Sequence, residues 1–158
     1  MRATLQALGI AASDFDWYLS DIETNYYGNA FSAQDQWISG HELRCLLERN
    51  EIQFIWAVFS AVPVGHRATV LAAPYIEGNP DYWSGYEVRP QLPEAVFEIA
   101  CWDSSATILV GLPALAEAHF LAVYPETDTL QNAVLRRRSG DRSGDSHLNS
   151  SVAPHSPP

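Results

Sequence analysis

The sequence predicts an α+β fold in which one mainly antiparallel sheet carries two to three helices packed mostly on one face. Three observations favour this class: an amphipathic helix at residues 40–49, an apolar strand at residues 52–62 and a hairpin at residues 95–110. A hairpin requires antiparallel pairing, and helices that pack beside an antiparallel sheet define the α+β class.

The N-terminal part predicts a short packed segment followed by a strand. We expect residues 1–13 to form a short helix or loop that packs on the domain. In residues 14–27, Phe15, Trp17 and Leu19 alternate with other side chains, and this alternation is typical of a strand with one buried face. A Gly-Asn pair then predicts the end of the strand.

The clearest local signal is the helix over residues 40–49. Ser39 and Glu42 have the spacing of a capping box, in which each side chain accepts a hydrogen bond from the other residue's backbone N–H. Leucines follow at helical spacing and predict one buried face. We expect Asn50 to end the helix in the left-handed conformation.

Two more strand regions follow this helix. Residues 52–62 are apolar on both faces and rich in β-forming residues, which predicts a central strand covered on both sides. Residues 74–86 contain Gly, Pro and several aromatics, which indicates a long ordered loop. Residues 95–102 and 105–110 predict the two strands of the hairpin.

The C-terminal part predicts two helices and a tail. A proline at residue 113 favours the start of a helix, with His119 on the apolar face as a core histidine. A final helix capped by Thr127 is expected over residues 128–138. Residues 139–158 contain too little apolar surface to offset the entropy of ordering, so they predict a disordered polar tail beyond a single acidic domain at residues 1–138.

The charge of the chain is unevenly distributed. Residues 1–135 carry 17 of the 19 acidic residues but five of the nine arginines, a balance of −12, whereas the whole chain has a net charge of −10. This charge opposes binding to nucleic acid or to an anionic membrane surface, and no apolar run is long enough to span a membrane. A basic protein partner is the class that this charge favours. The oligomeric state does not follow from the sequence.

Motifs for catalysis, metals and cofactors are missing from the sequence. It contains no phosphate-binding loop, dinucleotide fingerprint, zinc motif or nucleophile elbow, so we predict no cofactor, no metal site and no catalytic residue. Cys45 and Cys101 lie in apolar patterns, which predicts buried thiols and a reducing, cytoplasmic compartment. His41 lies four residues before Cys45, but no second pair with ligand spacing completes a metal site.

Two segments rich in acids and aromatics, residues 14–27 and 75–87, are candidates for contact with a basic partner. Exposed acids steer association, and tryptophan and tyrosine are the commonest anchors in protein interfaces. The sequence therefore predicts a non-enzymatic acidic binding domain, of the kind that inhibits another protein or confers immunity to it by covering its basic site. The predicted binding residues are Asp14, Asp16, Trp17, Asp21, Glu23, Tyr82 and Trp83.

Two other classes of function stay open. If residues 14–27 form one regular strand, Asp21 and Glu23 lie on the same face with their α-carbons about 6.6 Å apart. A hydrolase could use such a pair of carboxylates. Cys101 could instead act as a nucleophile if a histidine lies beside it. The third class is a subunit of a homo- or hetero-oligomer, which would hide an apolar patch by association.

Overall fold

A computed structural model, which describes residues 1–136, contains one five-stranded antiparallel sheet and confirms the α+β class. The strands are β1 Asp16–Thr24, β2 Gln36–Ile38, β3 Phe54–Val62, β4 Phe97–Trp102 and β5 Ala106–Val110. Their order across the sheet is β2-β1-β3-β4-β5, and every neighbouring pair is antiparallel. The helices are α1 Arg2–Leu8, α2 Gly40–Arg49, α3 Ala114–Val123 and α4 at residues 130–136.

The chain forms two compact units. The first consists of Met1–Asn79 and Val88–Thr127 and contains the sheet with α1, α2 and α3. The second consists of Pro80–Glu87 and the residues from Asp128 onward. The tail predicted at residues 139–158 lies outside the described residues, and the single acidic domain stays a prediction.

The three helices of the first unit cover one face of the sheet. Trp17 and Leu19 of β1 lie in register with Ala61 and Phe59 of β3, and all four are fully buried. The helices contribute Leu5, Leu8, Leu43, Leu46, Leu47 and Ala116 to the same core. This arrangement confirms the prediction that the helices pack mostly on one face.

Part of the opposite face of the sheet is covered by the residues of the β3–β4 connection that belong to the first unit. Tyr18 and Val62 pack there with Ala68 and Leu92 of the connection. As a result β1 is buried on both faces over residues 16–20, and the prediction of one solvent-facing side is wrong. Alternation along a strand does not reveal a covering segment that lacks periodicity of its own.

α2 has the predicted bounds and the predicted cap. The backbone N–H of Glu42 donates to the Ser39 hydroxyl at 3.2 Å, and the N–H of Ser39 donates to the Glu42 carboxylate at 3.0 Å. The end of the helix differs from the prediction, because Asn50 is extended with φ −131°. Its side-chain amide donates to the Leu46 carbonyl at 2.9 Å, which satisfies a terminal acceptor without a left-handed residue.

The predicted central strand and hairpin are both present. β3 lies in the middle of the sheet, between β1 and β4. β4 and β5 are joined through Asp103, Ser104 and Ser105, and the first two have φ angles of 45° and 55°. Two successive residues with positive φ are typical of the tight turns whose twist suits neighbouring antiparallel strands.

α3 begins after Pro113, as predicted, but it buries less of its surface than expected. Ala116 is buried and Phe120 is half-buried, whereas His119 is exposed, so the prediction of a core histidine is wrong. His119 instead lies against Gly9, where an added Cβ would overlap its ring. Gly9 ends α1 with φ 67°, a conformation that glycine adopts without steric cost.

α4 belongs to the second unit and begins slightly later than predicted. The hydroxyl of Thr129, rather than of Thr127, accepts a hydrogen bond from the backbone N–H of Asn132 at 3.2 Å and caps the helix. The last two residues of the predicted helix lie outside the described part of the chain. Within residues 1–136, no helix is both long and apolar enough to cross a membrane.

Candidate functional site

Asp16 is buried at the start of β1 and joins three segments of the chain. Its carboxylate accepts hydrogen bonds from the backbone N–H of Gly40 at 3.1 Å, the N–H of Gly65 at 3.0 Å and the Arg67 guanidinium at 3.0 Å. Burial raises the pKa of Asp16, but the two backbone donors and Arg67 together outweigh burial and lower it. Asp16 is therefore a structural acid whose oxygens are already bonded.

Arg67 is bound between this carboxylate and an aromatic ring. The centre of its guanidinium lies 4.9 Å from the centroid of the Trp37 ring, within the range of a cation–π contact. Trp37 in turn packs against Tyr18 with ring centroids 5.1 Å apart. One of the few cations of the first unit is thus held by a tryptophan together with an aspartate.

Asp21 lies at a β-bulge that interrupts β1. Its φ is 52°, and the pairing of β1 with β3 shifts register between Ser20 and Glu23. The Asp21 carboxylate accepts hydrogen bonds from the backbone N–H of Ile76 at 2.7 Å and of Glu77 at 2.9 Å. The regular strand assumed for a carboxylate pair is therefore wrong, because the extra residue directs Asp21 to the connection while Glu23 is exposed.

A further buried acid, Glu98 of β4, was not singled out from the sequence. Its carboxylate accepts hydrogen bonds from the Ser60 hydroxyl at 2.8 Å and from the backbone N–H groups of Leu92 and Gln91, each at 2.9 Å. Burial raises the pKa of Glu98 in spite of these donors. The available signal was an acidic residue within an apolar strand, which indicates a carboxylate with internal partners.

The remaining predicted binding residues occupy different environments. Asp14 is exposed, and its carboxylate accepts the backbone N–H of Ala11 at 2.9 Å. Trp17 is fully buried, and its indole N–H donates to the Ala12 carbonyl at 2.8 Å. In the second unit Tyr82 is buried and Trp83 is half-buried. A buried side chain cannot touch a partner, so we correct the predicted surface by removing Trp17, Tyr82 and Asp16.

Comparison with known proteins identifies no relative. No protein-family model, curated protein or solved structure matches this chain.

Two tryptophans that the sequence did not single out lie together on the sheet. Trp56 of β3 and Trp102 of β4 are both half-buried, and their rings meet edge to face with centroids 5.1 Å apart and planes at 69°. Each lies next to a residue of the helix-covered core, Ala57 or Cys101, so both rings belong to the opposite face. A partly exposed pair of this kind offers a large and rigid area for contact.

One exposed acid lies across from this pair in β1, and two more lie in segments joined to these strands. Glu23 is the register partner of Trp56 across β1 and β3. Glu77 is fixed near the bulge by its backbone hydrogen bond to Asp21, and Asp103 directly follows the second tryptophan in the hairpin turn. All three acids are exposed. We define the tryptophan surface as Trp56, Trp102, Glu23, Glu77 and Asp103.

The two cysteines show different environments and no catalytic arrangement. Cys101 is buried, as predicted, and burial raises the pKa of its thiol to about 11. The thiol is therefore protonated near neutral pH, and among the described residues no histidine is hydrogen-bonded to it. Cys45 is half-buried rather than buried, and its sulfur lies 3.6 Å from Nε2 of His41. No third metal-binding side chain joins this pair within residues 1–136.

Proposed function

We propose that this protein is a small acidic binding domain that covers a basic site on another protein, with the tryptophan surface at the centre of the contact. One observation carries the proposal: a half-buried pair of tryptophans lies on the sheet, and the exposed Glu23 is the register partner of Trp56. Tryptophan is enriched among the residues that dominate binding energy, and surrounding acids favour a partner of opposite charge.

The chemistry of this surface favours arginine or lysine side chains on the partner. A guanidinium or ammonium group can lie over a tryptophan ring while a carboxylate accepts its hydrogen bonds. The protein already uses this combination internally, where Arg67 contacts both Trp37 and Asp16. We therefore expect the partner to present an arginine-rich surface.

The charge of the whole first part of the chain supports the same partner class. Residues 1–135 have a balance of −12, and such a field attracts a basic protein over distances longer than direct contacts. Salt screens this attraction, so association should slow as ionic strength rises. The rings act at contact and should mainly determine how slowly the complex dissociates.

The test is partner capture from a lysate of the native host with the full chain immobilised, at about 50 and 300 mM salt. The surface variant carries Glu23→Lys and Glu77→Lys. The matched control carries Glu48→Lys and Glu126→Lys, which reverse the same number of exposed acids elsewhere. We expect a basic protein to bind the wild type and the control, more strongly at low salt, and to be lost with the surface variant.

A second measurement separates charge from contact. Once the captured partner is purified, Trp56→Ala should raise its dissociation rate with little effect on its association rate. Equal binding of the partner to both double variants would show that the tryptophan surface is not the binding site. Absence of any partner at either salt concentration would contradict the proposed function itself.

A further inference from the structure

α3 is an apolar helix that is mostly exposed. Of its ten residues, Glu117 is the only acid and His119 the only other ionisable residue. A helix that is apolar on all sides is normally buried. In this chain only Ala116 of α3 is buried, whereas Leu115 is 70% exposed and Leu121 is 42% exposed. The helix therefore presents apolar surface that nothing in the described chain covers.

The exposed surface of α3 is a continuous face. Successive residues of an α-helix are rotated by about 100°, which places Ala118 on the side opposite Ala116 and Phe120. Leu115 and Leu121 flank Ala118 on either side. We define the α3 face as Ala114, Leu115, Ala118, Leu121 and Ala122, all of which are exposed.

We infer that the α3 face joins two copies of this chain into a dimer, with the two α3 helices antiparallel about a two-fold axis through Ala118. The face is symmetric about that residue, because leucines lie three residues before and after it and alanines lie four residues before and after it. In an antiparallel pair, Leu115 lies opposite Ala122 of the second copy, and Leu121 lies opposite Ala114 of the second copy. Each large side chain thus meets a small one, and the two-fold axis makes each of these contacts occur twice.

The α3 face contains no charged side chain, so it is where two copies of an acidic chain can meet with least repulsion. Residues 1–135 have a net charge of −12, so most approaches of one copy to another bring acidic side chains together. Glu117 is the one acid of α3, and it lies at the border of the α3 face. Two copies can therefore meet there with less repulsion than at the acidic parts of the surface, and contact there depends on apolar fit rather than on opposite charge.

This inference does not depend on the proposed function. α3 lies over the helix-covered face of the sheet, while Trp56 and Trp102 lie on the other face. The dimer would leave both tryptophan surfaces accessible, so each proposal can fail without the other. If both hold, one dimer presents two binding surfaces to basic partners.

The first test is the mass of the full chain in solution, measured by sedimentation over a wide range of protein concentration. We expect a reversible dimer for the wild type and a monomer for both Leu115→Glu and Leu121→Glu, with unchanged circular dichroism. The control is Leu71→Glu, since Leu71 is 94% exposed in the β3–β4 connection. The control should dimerise as the wild type does. A wild type that is monomeric throughout, or a dimer that survives Leu121→Glu, would overturn the inference.

A second test addresses the orientation of the helices. In a Cys45→Ser background, Ala118→Cys should form a disulfide between copies under mild oxidation, because residue 118 lies on the two-fold axis. Ala122→Cys should not, since its two copies would lie about 12 Å apart along the helices, beyond the reach of a disulfide. Equal crosslinking at both positions would indicate parallel helices and would overturn the antiparallel dimer.

Discussion

At the scale of single residues, one structural role is shared by three acids, Asp16, Asp21 and Glu98. Each carboxylate accepts hydrogen bonds from at least two backbone N–H groups of other segments. When a segment packs on a sheet, some of its backbone N–H groups lose contact with water. A buried N–H group without an acceptor costs free energy. One carboxylate can satisfy two such groups at once. This explains why acids that looked suited to attract a partner are used inside the protein.

The pKa of Asp16 gives a testable pH dependence. A carboxyl whose pKa is lowered by folding stabilises the folded state at neutral pH, and that contribution is lost as the pH falls through the folded pKa. Asp16→Asn replaces an accepting carboxylate oxygen by an amide N–H₂, which cannot accept a hydrogen bond from the donors around it. We therefore expect the free energy of unfolding at neutral pH to fall by about 1–3 kcal/mol. Denaturant unfolding across the acid range should show that the difference from the wild type shrinks as the pH falls.

The control for this prediction is Glu51→Gln. Glu51 is exposed, and exchange of such a side chain usually changes stability by less than about 0.5 kcal/mol. A constant difference between the wild type and Asp16→Asn over the whole acid range would contradict the role given to the Asp16 carboxylate.

At the scale of elements, α2 shows how a local signal is completed by a distant contact. Its capping box is specified within four residues, but its first helical residue, Gly40, also donates its backbone N–H to Asp16. The chain before β1 passes so closely that a Cβ on Gly40 would overlap the carbonyl oxygens of Phe15 and Ala12. Glycine is required here by close packing rather than by a left-handed conformation.

Gly40→Ala is therefore expected to destabilise the protein, although alanine is the better helix former. Because the obstacles are backbone atoms, the start of α2 or of β1 would have to move, at a cost of about 1–3 kcal/mol or more. The measurement is the denaturant midpoint of unfolding. His41→Ala, on the exposed side of the same turn, is the control and should change the midpoint little. A Gly40→Ala variant as stable as the wild type would show that the two segments are not held together.

At the scale of the first unit, the sheet is covered by two different kinds of layer. Helices cover one face through apolar side chains, whereas first-unit residues of the β3–β4 connection cover part of the other face and are held there by buried polar groups. Ser20 donates its hydroxyl to the Pro74 carbonyl at 2.6 Å, and Glu98 binds the segment at Gln91 and Leu92. A connection without regular structure cannot pair its own backbone groups, so the sheet supplies partners for them.

Glu98→Gln should loosen this irregular layer. The amide nitrogen of glutamine cannot accept a hydrogen bond, so one of the two backbone N–H groups loses its acceptor. We expect hydrogen exchange of the Gln91 amide or of the Leu92 amide to accelerate by about tenfold or more, since a lost buried hydrogen bond costs about 1–3 kcal/mol. Glu87→Gln, an exposed change in the same connection, is the control. Unchanged exchange at both amides would contradict the anchoring role of Glu98.

The sequence by itself determined the elements with short-range signals and the acidic balance of the chain. The capping box of α2 spans four residues, the hairpin connection has three residues, and β3 is recognisable as a continuous apolar run. The tertiary structure alone decided which charged and aromatic side chains are buried and which are exposed. Asp16 meets Gly65 from 49 residues away, and Asp21 meets Ile76 from 55 residues away. Burial and exposure depend on such distant contacts, which periodicity and composition do not encode.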